Sequence, residues 1–338
     1  MSGRHGSLHL HGRRALLAAA IAAGGLLAAM PGQARTPADA PREGWARYAV
    51  PMVAGADGPC CHEIRKGKVL KRGCSLDRRG ATLAIEGSDG VASPANEGLV
   101  VYLHFSDGAV DRVKAFGDSC PVDADAPPVE LAIAPDESIR LLLGLARAGG
   151  KPADEAVMAL AHHDGAAATR GLAALAGPGE PRKLRKDAVF WLGQLRGVEG
   201  AAAVERIARG DTDAKLREHA VFSLSQAEGV DGYAVIADVA RSDASEDVRG
   251  QALFWMAQTG DPRAAGAIRR ALREDRSAEV REQAVFALSQ LEEGGVQALI
   301  DIVRGGHPRE VKKQALFWLA QSGSDEAIAF LDSVLADP

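Results

Sequence analysis

Ala188-Val189-Phe190-Trp191-Leu192-Gly193-Gln194 is the first of five related heptapeptides, followed by AVFSLSQ from Ala220, ALFWMAQ from Ala252, AVFALSQ from Ala284 and ALFWLAQ from Ala315. The Phe recurs as Phe190, Phe222, Phe254, Phe286 and Phe317, and the Gln as Gln194, Gln226, Gln258, Gln290 and Gln321. The period is 32 residues three times and 31 once. A fixed period of this length, the size of one helix pair, marks a repeat that cannot bury its apolar face alone and stacks on its neighbours. The expected fold is therefore mainly α, a solenoid over residues 136–338.

Upstream of the first heptapeptide the pattern decays. Asp136-Glu137-Ser138 opens a helix that Gly149-Gly150 ends, and in the next helix Met158 and His162 stand in the Phe and Gln slots, as expected of a terminal capping copy. Between heptapeptides run Ala/Val/Ile helices such as GYAVIADVARS. Caps and acidic first turns precede the heptapeptide helix at Ser245-Glu246-Asp247 and Ser277-Ala278-Glu279. The chain closes on AIAFLDSVLA, an unpaired first helix.

The opening of each heptapeptide helix carries Leu184-Arg185, Leu216-Arg217, Val248-Arg249 or Val280-Arg281, with Val311-Lys312 in the last copy, followed by an Ala-rich A-x-x-x-L pattern. These pairs resemble HEAT repeats, in particular the short bacterial type also found in phycobilisome-lyase-like proteins. The resemblance covers roughly residues 136–338 and implies an α-solenoid of about six HEAT-like helix pairs. It also implies a protein-interaction scaffold, with a chromophore lyase implied for a minority of relatives. Fold alone does not assign function.

Residues 1–34 form a basic start, an uncharged apolar run from Ala15 to Met30, and small residues at Gly32 and Ala34. This is the layout of a secretory signal peptide cleaved after Ala34, and the run is short for a membrane anchor. The mature chain is thus expected to be periplasmic or secreted, without membrane insertion once cleaved. Arg13-Arg14 leaves Sec and twin-arginine export both open. Removing Arg4, Arg13 and Arg14 leaves 37 basic against 45 acidic residues, a net charge of −8, which argues against nucleic acid as the partner.

Residues 35–44 read as a polar linker, 45–125 as a small β-rich domain and 126–135 as a Pro-rich linker. GLVVYLHF from Gly98 and AVDRVKAF from Ala109 alternate apolar and polar residues across Asp107-Gly108, a hairpin signal. All four cysteines, Cys60, Cys61, Cys74 and Cys120, fall in this part. In an exported chain they predict two disulfides, and because a vicinal Cys60–Cys61 bridge is strained, one of that pair is expected to bond Cys74 and the other Cys120. The alternative is a metal- or cofactor-binding or lyase-like site using Cys60-Cys61-His62/Cys74 or the repeat groove. Adjacent cysteines point poorly at one tetrahedral ion, and no C-x-x-C spacing occurs.

Around the heptapeptide helix, at about 100° per residue, Val280, Ala284, Leu288 and Leu291 share a stripe expected to be core. Phe286 and Gln290 fall on the opposite side, at about 200° and 240°, as i and i+4 neighbours. The expectation is that Phe190, Phe222, Phe254, Phe286 and Phe317 pack partly between neighbouring second helices. With Gln194, Gln226, Gln258, Gln290 and Gln321 they would then form a concave partner-binding face for a protein or extended peptide. Trp191, Trp255 and Trp318 occupy alternate copies, opposite Ser223 and Ala287, on the flank facing an adjacent helix. His162-His163, His219 and His307 read as helix-end or solvated residues without ligand spacing, and Ser223, Ser225 and Ser289 lack a nucleophile elbow. No catalytic signature and no cofactor site are read, so the chain is expected not to be an enzyme.

Overall fold

The computed structural model describes residues 40–56, 62–65, 68–77, 81–85, 98–227 and 230–336. The signal-peptide reading of 1–34, and Cys60 and Cys61, lie outside the described residues.

The N-terminal part is two small sheets. β1 (Gly44–Pro51) pairs antiparallel with β5 (Gly98–Ser106), and β5 pairs with β6 (Ala109–Gly117) through the two-residue loop Asp107-Gly108. Both loop residues have positive φ, 53° and 81°, which is the twist-matched hairpin turn that the Asp-Gly pair favours. β8 (Val129–Glu130) adds in parallel on the free side of β1. The second sheet contains β2 (His62–Arg65), β3 (Lys68–Ser75) and β4 (Ala81–Ile85), with β7 (Val122–Asp123) pairing β3. Cys74 and Cys120, the two described cysteines, are both disulfide-bonded.

Strand alternation divides the first sheet's faces. Ala46, Tyr48, Val50, Leu99, Val101 and Leu103 bury one face, while Trp45 and Tyr102 on the other close over Leu76 beside the second sheet. The first face packs on α1 (Pro135–Ala148) and α2 (Ala153–His162), and the core runs on unbroken into the helices. Tyr48 and Ser138 hydrogen-bond across this contact, hydroxyl to hydroxyl at 3.0 Å, and burial pushes the Tyr48 phenol up to about 12.

α1 and α2 make the first of six helix pairs. The others are α3 (Ala166–Leu175) with α4 (Arg182–Leu195), α5 (Gly197–Gly210) with α6 (Ala214–Ser225), α7 (Tyr233–Ser242) with α8 (Glu246–Gln258), α9 (Ala264–Glu274) with α10 (Ala278–Ser289), and α11 (Gly295–Arg304) with α12 (Arg309–Ser322). α13 (Asp325–Ala336) closes on α11 and α12. Each even-numbered helix from α4 to α12 packs broadly on the next, whereas the odd-numbered ones touch sparingly, so the solenoid bends toward the even layer.

An Arg–Asp ladder ties the repeats. Arg217 forks onto both oxygens of Asp243 at 2.7 and 2.8 Å, Arg249 onto both of Asp275 at 2.8 and 2.9 Å, and Arg185 pairs with Asp211. Arg217, Arg249 and Arg281 also donate to the carbonyls of Asp211, Asp243 and Asp275 six residues back. The aspartates then accept from the backbone N–H of Asp213, Ser245 and Ser277, shaping the turn into each second helix. Ser277 caps α10 as expected, but Ser245 makes no side-chain cap, and Asp213 caps α6 instead.

Candidate functional site

The face of the even helices is built from the repeated heptapeptide. Ala284, Val285, Ala287 and Leu288 are fully buried, a broader stripe than the sequence suggests, and Phe286 is left half-buried at its edge. Phe190, Phe222 and Phe254 are half-buried in the same way, and Phe317, on the last described heptapeptide helix, is 53% exposed. The rings touch in sequence. Phe190 stacks on Phe222 at 6.3 Å, Phe222 tilts on Trp255 at 4.8 Å, and Phe254 stacks on Phe286 at 5.6 Å, which meets Trp318 at 4.8 Å. Within α4, α8 and α12 the Phe and Trp rings meet edge to face at 5.1, 4.8 and 5.0 Å. His162 adds an edge contact to Trp191 at 5.3 Å. One ribbon of five phenylalanines and three tryptophans therefore runs from α4 to α12.

The tryptophans are half-buried links of this ribbon, each reaching back to the preceding even helix. Where the copy in α6 carries Ser in place of Trp, that side chain meets the α4 backbone directly. The Ser223 hydroxyl donates to the Val189 carbonyl at 2.9 Å, and a Cβ at Gly193 would sit 2.2 Å from that hydroxyl, so glycine is required there.

The glutamines stand at the ends of their helices. Gln194 donates to the backbone carbonyl of Gln226 at 3.5 Å, Gln226 and Gln290 donate to the hydroxyls of Ser225 and Ser289, and Gln258 and Gln321 are exposed. Among the described residues the five side chains form no amide-to-amide ladder. Ser225 and Ser289 donate to the carbonyls of Phe222 and Phe286 at 2.8 and 2.7 Å, a structural use of hydroxyls near the site.

The histidines are more enclosed than the sequence suggests. His162 and His163 stand at the end of α2, as expected, but are buried at the joint between sheet and solenoid, and His219 is half-buried. Val53 N–H donates to the His162 carbonyl, Asp164 N–H donates to the Pro51 carbonyl, and Met52 bridges His163. His162 Nδ1–H donates to the Met158 carbonyl at 2.8 Å and His163 Nδ1–H to the Asp164 carbonyl at 3.0 Å. His163 Nε2 is buried without a hydrogen-bond partner. Buried Arg196 sits across the joint, donating to the carbonyls of Ala161, His163 and Gly165 and to the Thr169 hydroxyl. Burial, and secondarily the Arg196 charge, lowers the pKa of both histidines. Among the described residues no group of three or more His, Cys, Asp or Glu is arranged to hold a metal, and no helix is long and apolar enough to cross a membrane.

At the end of the ribbon, between α10 and α12, lies a cavity of about 590 Å³ walled by Phe286, Phe317 and Trp318 and edged by Glu282, Glu310 and Gln314. No single position of the heptapeptide announces it, because it depends on the ring of one repeat meeting the first turns of the next.

Residues 233–317, from the start of α7 into α12, match the family described as HEAT repeats. The helix pairs continue on both sides of the matched stretch. Solved structures with similarity include human deoxyhypusine hydroxylase in complex with glycerol, at 15% identity over 60% of this chain and 91% of that one, with a TM-score of 0.27. The CpcE–CpcF complex of phycocyanin lyase from Nostoc sp. PCC7120 is similar at 16% identity over 62% and 94%, with a TM-score of 0.29. No curated protein matches the sequence.

Proposed function

We propose that the chain is an exported interaction scaffold that holds a protein, or an extended segment of one, along the face of its even helices. The observation that carries this reading is the ring ribbon. Full burial of a Phe contributes about 1.5–3 kcal/mol, yet each of the five keeps part of its ring open on one continuous surface. Contiguous apolar surface edged by polar groups marks interaction sites, and repeat solenoids use such faces for partners. Successive second helices lie about 10 Å apart, close to three residues of extended chain, so the terminal Gln amides can meet a partner's backbone at that interval.

Export rests on residues 1–34, and N-terminal sequencing of the mature protein should begin at Arg35. The proposed two disulfides of 45–125 suit an oxidising compartment. Because Cys74 is disulfide-bonded, it is removed from the thiolates that a metal centre at residues 60–62 would need, which favours the scaffold over the cofactor reading.

Photo-crosslinking from Gln258 and Gln290 in cells tests the site. The expected result is a discrete partner adduct, absent when the crosslinker stands at exposed Gln297 on α11, and an adduct from a crosslinker at Gln321 should weaken in the Gln226→Ala, Gln258→Ala, Gln290→Ala variant with little change in stability. Equal adducts from Gln297, or a triple variant that captures normally while losing several kcal/mol of stability, would overturn it.

A further inference from the structure

The cavity between α10 and α12 differs from the rest of the ribbon in what its polar groups offer. Lys313 stands at its edge, but its ammonium is held by both oxygens of Glu310 at 3.0 and 3.2 Å. Gln283, also at the edge, turns its amide toward Glu279 at 3.4 Å. Two groups remain. The Glu282 carboxylate has no hydrogen-bond or ion-pair partner among the described residues, and the Gln314 Oε1 atom is buried without a partner. Both are acceptors, and a buried acceptor left unpaired costs roughly 1–3 kcal/mol until a donor reaches it. The Phe286, Trp318 and Phe317 rings stand at 40° and 77° to one another, and aromatic faces are themselves electron-rich.

The site therefore combines an unpaired negative charge with π faces, and its one cation, Lys313, is already ion-paired. We propose that it receives the guanidinium of an arginine carried on the bound segment, an inference that rests on the scaffold reading above. A guanidinium is flat enough to lie on an indole and carries five N–H donors, so it can pair with Glu282 while stacked. The charge pattern of the face agrees. One and two turns before the Phe, α4 carries Lys186 and Lys183, while α10 carries Glu282 and Glu279. The arginine is thus placed beside the carboxylates of α10 rather than the lysines of α4, of which Lys183 is already ion-paired with Asp154 and Asp187.

The test uses the intact protein and its four tryptophans, Trp45, Trp191, Trp255 and Trp318, as separate indole N–H resonances. The probes are short blocked peptides of alternating valine and serine with one central arginine, citrulline or lysine. The arginine peptide should shift the Trp318 resonance saturably, and the neutral isostere citrulline should bind about tenfold more weakly, the scale of a lost charge-assisted contact. Glu282→Gln should weaken the arginine peptide while changing the citrulline one little, and added salt should weaken only the arginine peptide. Citrulline or lysine binding as tightly as arginine overturns the inference. If that happens while the Trp255 and Trp318 resonances still move, the groove reading survives. If no peptide moves any resonance of the ribbon, both fall. The wild-type citrulline comparison decides the matter even if a variant fails to fold.

Discussion

Buried histidines at the joint between sheet and solenoid give the protein a definite response to acid. His162 and His163 have folded pKa values below the ordinary 6.5, chiefly because burial disfavours the imidazolium, so the fold holds them neutral. Their contribution is complete above about pH 6.5 and is lost as pH falls toward the lowered folded values, because the unfolded chain then binds protons the native one excludes. Denaturant unfolding should therefore show stability falling between pH 7 and 5. His162→Gln, which installs the amide used by the other copies, should flatten that slope. An unchanged slope would mean the histidines gain protons without resistance. Their burial was illegible because residues 51–53, which cover them, lie over a hundred positions upstream. Phe286 was legible, since its wheel angle needs only local geometry.

The second helices owe their spacing to the ladder as well as to the ribbon, and the ladder has a gap. Arg281 reaches the Asp275 carbonyl at 2.7 Å as its predecessors do, but the forward carboxylate is missing: the one-residue contraction of the last repeat places Gly306 in the slot of Asp211, Asp243 and Asp275. A Cβ at Gly306 meets nothing within 4 Å. Gly306→Asp should then complete the pair with Arg281 and stabilise the last repeats by about 1 kcal/mol, read as a rise in melting temperature that Arg281→Ala abolishes. No rise in the single variant would show that Arg281 cannot turn to the new carboxylate. The aspartates recur every 32 residues and were open to a reader of the period, as the Val-Arg dipeptides were. What the period could not reveal is that each side chain spans two repeats, or that the Ser245 hydroxyl would leave its helix end uncapped while Asp243 takes its N–H. The α10–α12 cavity escaped for a related reason, being a property of two unlike neighbours.

Across the molecule, the first sheet and the helices share one apolar core, while the disulfide-bonded Cys74 belongs to the second sheet. Reduction should thus loosen the cluster of Trp45, Leu76 and Tyr102, changing near-ultraviolet dichroism, and leave the helical far-ultraviolet signal intact. Loss of the helical signal on reduction would show that the second sheet props the solenoid. Contact patterning explains why the sequence divides the chain so readily: within the repeats partners lie about one period away, whereas β1 finds β5 and β8 across long intervals that no local periodicity records. The alternation of Trp with Ser223 and Ala287 has a further consequence for how such a chain can change its length. Ring junctions come in two kinds, Phe on Phe and Phe on Trp, taken in turn. Excising the copies of Phe222 and Phe254 together would join Phe190 to Phe286 and keep both kinds in order. Excising the Phe222 copy alone would set two Trp-bearing helices side by side, and excising the Phe254 copy alone two without Trp, junctions found nowhere among the described repeats, so a deletion that keeps the order spans a doublet of 64 residues, twice the 32-residue period.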